Sequence, residues 1–378
     1  MDIVLNTKDT EKYFWAKYQV SSKTTLRQAA HEIAIGQSIG NPNKRSLWET
    51  DQMIEDYCAK ILDTGNLDQQ QGIVEIGYPY ALMDWVGDGI SQLLCILQGG
   101  QTDIDNIVEC RLIDLSINDY ITEKYFKGPK YGIRGIREYV KNPDRPLFGG
   151  IIKPKNGINP QQLLDMTKEL VEGGVNFIKE DEILSNPSIC SLEDRVPLIA
   201  NYIQGKNVVY CFCINGDPLY VLDRARFVAA NGGNGVHINV WSGLGVYKSI
   251  RDLDTGLFIH YQKSGDAAFT SPRNPYGISW DVLCYLAGLS GVDFIHAGMW
   301  GGYLSNTDEE LHKTLGILRS HGVMPALSCG MHPGLVEPIT ERFGVDWMAN
   351  VGGFVHSDPD GTRAGSLKMR AAIDNLQV

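Results

Sequence analysis

Residues 147–182 read LFGGIIKPKNGINPQQLLDMTKELVEGGVNFIKEDE. The stretch opens on a short apolar run, 147–153, which has the length of a buried strand. Residues 159–173 (NPQQLLDMTKELVEG) follow as a helix, with Asn159 as N-cap and Pro160 at the first helical position. A second apolar run, 176–179 (NFIK), closes the unit. The order is strand, helix, strand.

The same rhythm continues outward. Apolar runs recur at 208–214 (VVYCFCI), 235–240 (GVHINV), 257–261 (LFIHY), 293–297 (DFIHA), 325–329 (PALSC) and 348–352 (MANVG). With the two in the opening stretch they make eight. Helix-like stretches separate them, for example 307–321 (TDEELHKTLGILRSH), which starts on Thr307 and an acidic first turn. Eight strand–helix units over roughly 210 residues predict an α/β fold, a (β/α)8 TIM barrel spanning 141–378. A doubly wound sheet is the alternative, although it rarely reaches eight regular units. Upstream, a composition seam lies at Lys141–Pro146 (KNPDRP). Residues 1–140 mix a helix at 24–36, strands at 72–78 and 107–115, and a helix at 81–97. They predict a small α+β, ferredoxin-like N-terminal domain.

Composition narrows the function classes. The chain has 378 residues, 43 % of them hydrophobic and 21 % charged, enough apolar content for a full core. Its formal net charge of −11 argues against nucleic acid as a partner, because phosphate backbones demand a basic face. No run of 18 apolar residues predicts a membrane span, and the N-terminus MDIVLNTKDTEKYFW does not read as a secretory signal. The eight cysteines form no C-x-x-C pair and mostly sit in apolar runs. They read as small buried hydrophobes of a reducing, cytoplasmic protein.

A barrel builds its active site at the C-terminal ends of its strands, and polar residues stand at nearly every one of those ends here. The second strand ends in Lys179-Glu-Asp181-Glu182, and Lys179 and Asp181 share one face. A lysine that has reacted with CO2 is a carbamate. Lys179 in that form, with Asp181 and Glu182, offers three hard oxygens to Mg2+ and leaves open positions for substrate. A lysine simply ion-paired to two acids at a barrel rim fits the same spacing. The first strand ends in Lys153-Pro-Lys155. Adjacent ammonium groups repel, which favours a neutral amine able to take a proton from carbon; an exposed basic pair is the bland alternative. His260 and His296 on neighbouring strands would polarise a substrate oxygen, or are satisfied core histidines. Ser328-Cys-Gly330 and Gly352-Gly353 stand where such barrels cradle phosphate, or mark tight turns.

Taken together, GGIIKPKNG, GGVNFIKEDE, FIHYQKSG, FIHAG, SCGMHPG and NVGG, in this order over 147–356, resemble the large subunit of ribulose bisphosphate carboxylase/oxygenase (RuBisCO). GPKYGIRGIR at 128–137 and the N-terminal module extend the likeness to most of the chain. The resemblance implies that Lys179 is carbamylated by CO2 and binds Mg2+ with Asp181 and Glu182. It implies that Lys153 is the enolising base and that Lys155 lies beside the substrate oxygens. His260 joins the catalytic groups; His296, Ser328, Gly330, Gly352 and Gly353 hold substrate hydroxyl and phosphate. It further implies a homodimer with shared active sites and a phosphorylated small-molecule substrate.

The departures from the family pattern are informative. Tyr303 stands where carboxylases carry a lysine after the sixth strand, Gln262 replaces a histidine, and Lys263 replaces an arginine. These argue against carbon fixation and place the chain in the RuBisCO-like, non-fixing branch. Known reactions of that branch form an enediolate beside a phosphorylated carbon chain. The 2,3-diketo-5-methylthiopentyl-1-phosphate enolase uses a lysine of its N-terminal module, yet no lysine lies between Lys60 and Lys124 here. A second group isomerises 5-methylthioribulose 1-phosphate. A third removes or transfers the carboxyl carbon of 3-oxo-isoapionate 4-phosphate, and K-P-K without the CO2-loop lysine suits it best. The expectation is a Mg-dependent carboxy-lyase, or an isomerase. A non-catalytic sugar-phosphate scaffold is the remaining option, although binding alone needs no carbamate.

Overall fold

The computed structural model describes residues 3–377. The chain forms two compact units. One holds the residues up to Phe126 together with Gly265–Leu286; the other holds Lys127–Ser264 and the residues from Ala287 onward.

The first unit is built on a six-stranded mixed sheet of β1 (Val4–Leu5), β2 (Tyr13–Ser22), β3 (Lys60–Leu62), β4 (Gln71–Pro79), β5 (Ile107–Ser116) and, in chain order much later, Tyr276–Ile278. β2 pairs antiparallel with both β4 and β5, and β3 pairs antiparallel with β4. With the helices Leu26–Gly36 and Gly89–Leu97 this is a β-α-β-β-α-β arrangement, the α+β module expected. The segment 265–286 was expected inside the barrel. It instead lends Tyr276–Ile278 to the edge of this sheet, parallel to β5. Arg111, 7 % exposed, holds it there by donating to the carbonyls of Ser271 (2.8 Å) and Asn274 (2.9 Å).

The second unit is a closed barrel of eight parallel strands: β6 (Leu147–Ile151), β7 (Phe177–Lys179), β8 (Val209–Cys213), β9 (Gly235–Asn239), β10 (Phe258–Gln262), then, with β11 assigned to Tyr276–Ile278, β12 (Phe294–Gly298), β13 (Met324–Leu327) and β14 (Met348–Val351). Each lies within about two residues of its expected run. The helices between them begin on the expected caps. Asn159 accepts from the Gln162 amide and Thr307 from the Glu310 amide, each within a full capping box. Such caps contribute about 1 kcal/mol apiece.

The strands begin on bulky apolar residues. Leu147, Phe177, Phe258, Phe294, Met324 and Met348 form one buried cluster at the barrel's N-terminal end. The helix Gly132–Val140 closes that end, setting Ile136 and Val140 into the cluster while Tyr131 stacks on Phe258 at 4.1 Å. Residues 127–140, expected with the N-terminal domain, therefore pack with the barrel. The other end of the barrel is left open for chemistry.

Candidate active site

Along an inward-facing strand, residues two apart share a face. Two residues, one step along the face, beyond core residues Phe177, Phe294 and Met348 come Lys179, His296 and Asn350. These three, with the strand-end residues, line a cavity of about 540 Å3. Lys153, Lys155, Asp181, Glu182, Ser328, Gly330, Gly352 and Gly353 line it too, so the structure brings nearly all the expected site residues together.

His260 is the exception. Its register partner across the barrel wall is Phe294, a core residue, and it is wholly buried. The stagger of a barrel puts equivalent strand positions at different depths. His260 lies one layer too deep to touch a ligand in the cavity, and Gln262, one step further along β10, takes the lining position. The catalytic role expected for His260 by direct contact is thus corrected. Its Nδ1 lies 3.1 Å from His237 Nδ1, and burial holds both imidazoles neutral, well below the usual histidine range, with the Lys179 charge adding to the effect.

The ionic heart of the cavity is at the ends of β6 and β7. Lys153 Nζ meets Asp181 Oδ2 at 2.5 Å, and Lys179 Nζ lies 3.5 Å from Glu182 Oε2. Lys179 is 2 % exposed and Asp181 1 %. Burial pulls the Lys179 ammonium towards its neutral form, against the opposing pull of Glu182 and Asp181. For Glu182 burial acts to raise the pKa, but the Lys179 charge and hydrogen bonds, one from Ser264, leave it below the usual carboxylate range. A buried lysine leaning to the free amine is the form that adds CO2. The Asp181 carboxylate, buried, and the Glu182 carboxylate, half-buried, already face cationic nitrogens and are hard donors. Among the described residues no three His, Cys, Asp or Glu side chains come together as a metal site. The third oxygen of a Mg2+ set would have to be a Lys179 carbamate, and the donor chemistry fits that group.

The opposite wall is polar and neutral. His296 Nε2 and Ser328 Oγ are 2.9 Å apart, and burial, then the Lys263 charge, drop the His296 pKa to about 3. Cys329 follows in a left-handed conformation, φ 83°, rare for a side chain other than glycine or asparagine. The Tyr303 amide donates to the Cys329 carbonyl at 3.1 Å. The loop after β12 is thereby fastened to the end of β13. Asn350, Tyr303, Cys329, His332 and Ser264 were not among the expected site residues, yet all line the cavity.

Behind β7, on its outer face, Glu180 and Arg195 make a bidentate pair at 2.8 and 2.9 Å, both fully buried. Tyr210 Oη donates to Glu180 at 3.2 Å and the Cys213 amide at 2.7 Å. This set fixes the strand end from which Lys179 and Asp181 project.

Comparison with known proteins agrees with this geometry. Residues 132–320 match the family model of the ribulose bisphosphate carboxylase large chain, catalytic domain, and residues 2–120 match that of its N-terminal domain. The chain is 33 % identical over 364 residues to ribulose bisphosphate carboxylase of Pyrococcus abyssi, covering 92 % of this chain and 84 % of the relative. It is 30 % identical over 389 residues to 2,3-diketo-5-methylthiopentyl-1-phosphate enolase of Geobacillus kaustophilus, covering 95 % and 91 %. The octameric ribulose-1,5-bisphosphate carboxylase/oxygenase of Pyrococcus horikoshii superposes with a TM-score of 0.88 at 30 % identity, over 98 % of this chain and 90 % of that one.

Proposed function

The chain belongs to the ribulose bisphosphate carboxylase large-chain family, and from that premise we propose that it is a Mg2+-dependent, RuBisCO-like enzyme that enolises a phosphorylated keto-sugar or oxo-sugar acid. The reaction we favour is decarboxylation, or carboxyl transfer or hydrolysis, of 3-oxo-isoapionate 4-phosphate. The observation that carries this reading is the buried Lys179 between Asp181 and Glu182, with Lys153 held on Asp181 at 2.5 Å.

Mg2+ held by carbamylated Lys179, Asp181 and Glu182 would supply a Lewis acid that draws electrons from a chelated oxo group. Lys153 takes or returns the carbon-bound proton. Its side chain is 30 % exposed, so it reaches both the Asp181 carboxylate and the cavity. Lys155, beside it on the rim, neutralises developing negative charge on substrate oxygens. Ser328, oriented by neutral His296, and the backbone at Gly330, Gly352 and Gly353 hold hydroxyl and phosphate. Gly352 leaves room for the base: a Cβ there would meet Lys153 Cε at 3.3 Å.

Fixation of CO2 is disfavoured, because Tyr303 and Gln262 line the cavity where carboxylases of this family place lysine and histidine. The second reading is the enolase reaction named for the Geobacillus relative. The absence of lysine between Lys60 and Lys124 weighs against it. The octameric relative supports a homo-oligomer, which we take to be built on a homodimer. The eight free cysteines suit a reducing cytoplasm, and among the described residues no helix is long and apolar enough to cross a membrane.

The test is direct. With Mg2+ and bicarbonate present, the protein is given 3-oxo-isoapionate 4-phosphate in D2O. Release of CO2 with one deuterium on the carbon that lost it supports the decarboxylase reading. Enolisation of the methylthio-diketo phosphate without CO2 release would replace it with the enolase reading.

A further inference from the structure

Three buried amides of this protein are used at both ends, whereas two that line the cavity are not. Asn142 donates to the Pro146 carbonyl at 3.3 Å and accepts from the Arg145 amide at 3.3 Å. Asn239 donates to the Ser264 carbonyl at 2.7 Å and accepts from the Trp241 amide at 3.0 Å. Gln101 donates to the Leu97 carbonyl and accepts from Gln37 at 2.5 Å. Asn350, 1 % exposed, has no partner for either Nδ2 or Oδ1. Gln262, 5 % exposed, donates to Ser264 Oγ at 3.2 Å but leaves Oε1 unmatched. A buried polar atom without a partner is costly. The ring nitrogens His237 Nε2, His260 Nε2 and Trp347 Nε1 are also unmatched but lie outside the cavity lining, whereas Asn350 and Gln262 stand where a ligand can reach them.

Asn350 stands on β14 one step above the core residue Met348 and one step below Gly352. Its place is made for it: a Cβ at Gly149 would come within 2.9 Å of Asn350 Oδ1. Gln262 sits one step above His260 on β10, and an amide oxygen there accepts only from a donor. An amide offering one donor and one acceptor is the complement of a hydroxyl, which accepts and donates at the same oxygen. A thioether or alkyl chain offers neither.

We propose that Asn350 and Gln262 are specificity-determining residues that bind a hydroxyl-bearing carbon of the substrate, so that the cavity selects a polyhydroxylated phosphomonoester over one ending in an alkyl or methylthio chain. The inference rests on the reading of this cavity as the substrate site and narrows its substrate class. A site with unmatched buried amides rejects an analogue that lacks the hydroxyl, because binding then seals the amides away unpaired.

The experiment compares binding of two phosphomonoesters to the full chain with Mg2+ and bicarbonate by calorimetry. They are 4-phosphoerythronate and its deoxy counterpart 4-phosphobutyrate. The parent should bind the hydroxylated compound about 10- to 100-fold more tightly. Asn350→Leu should bring the ratio to within about threefold by weakening the hydroxylated ligand, while affinity for inorganic phosphate stays unchanged. Should that variant fail to fold, Gln262→Leu is read for the same fall in ratio. A parent ratio near one, or a full ratio retained in the folded variants, overturns the inference. A full ratio that falls in the variants but is indifferent to Mg2+ and bicarbonate supports the inference and removes the enolising reading. Mg2+-dependent turnover with a ratio near one does the reverse.

Discussion

On the outer face of β7, Glu180 and Arg195 form a closed set in which charge meets charge and the neighbouring carbonyls, amide and phenol take up the rest. On the inner face of the same strand, Lys179 and Asp181 are as deeply buried, yet the charged partners they meet, Glu182 at 3.5 Å and Lys153 at 2.5 Å, themselves line the cavity. Both clusters are ionic, but only the outer one is wholly enclosed: the Lys153 side chain is 30 % exposed and that of Glu182 21 %. The outer one is complete without a ligand and serves the fold. The inner one is left incomplete, as are Asn350 and Gln262 above the same core. Burial alone therefore does not separate a structural charge from a functional one; whether its partners face the cavity does.

The largest expected effect is on the inner face. Lys153→Met should slow exchange of the substrate's carbon-bound proton with D2O by about three orders of magnitude or more, with thermal unfolding little changed. Exchange at the parent rate would move the base elsewhere. On the outer face the loss should appear as stability. Arg195→Leu leaves Glu180 buried and unpaired, at a cost of about 3–5 kcal/mol in urea unfolding. A loss below about 1 kcal/mol would mean that this pair is not the strut described.

Much of this contrast was legible in the sequence, and the parts that were not have identifiable physical causes. Apolar runs of strand length and cap residues located the eight barrel strands and the helices at 160–172 and 308–320 to within about two residues. The K-x-D-E spacing put Lys179 and Asp181 on one face. A strand-end position gives no depth, so His260 is expected among the catalytic groups when barrel stagger sets it level with Phe294. Attention to strand ends passed over Asn350, although its position two residues after Met348 carried the signal. The ten-residue strand β2 went unread because Tyr13–Ser22 mixes aromatic and polar residues without clean alternation. The pairing of Tyr276–Ile278 with β5 spans more than 150 residues, and no local pattern encodes it. The amphipathic helix at 132–140 announces that it covers something, not what it covers.

A mid-sized effect should follow from pH. The unfolded histidine near 6.5 takes up a proton as pH falls, whereas His296 in the folded chain stays neutral down to about 3. The unfolded state then binds more protons, so the stability that is complete above pH 6.5 is lost as the medium is acidified. Between pH 7 and pH 5 this one residue should account for about 2 kcal/mol. Urea midpoints at the two pH values should differ less in His296→Gln than in the parent; equal differences would put the acid sensitivity elsewhere. The smallest effect concerns Cys329, whose left-handed φ of 83° is strained for a residue with a Cβ. Cys329→Gly should stabilise the fold by roughly 1 kcal/mol, and a destabilised variant would show that the thiol contacts with Ser328 and His296 outweigh the strain.

Lys179 is the residue on which the chemistry of the inner face depends. The protein, equilibrated with 13C-bicarbonate and Mg2+, should show a carbamate carbon by NMR that strengthens as Mg2+ is added, and Lys179→Ala should lack it while unfolding at nearly the parent temperature. The same signal in Lys179→Ala, or none in the parent at saturating bicarbonate and Mg2+, would contradict the account.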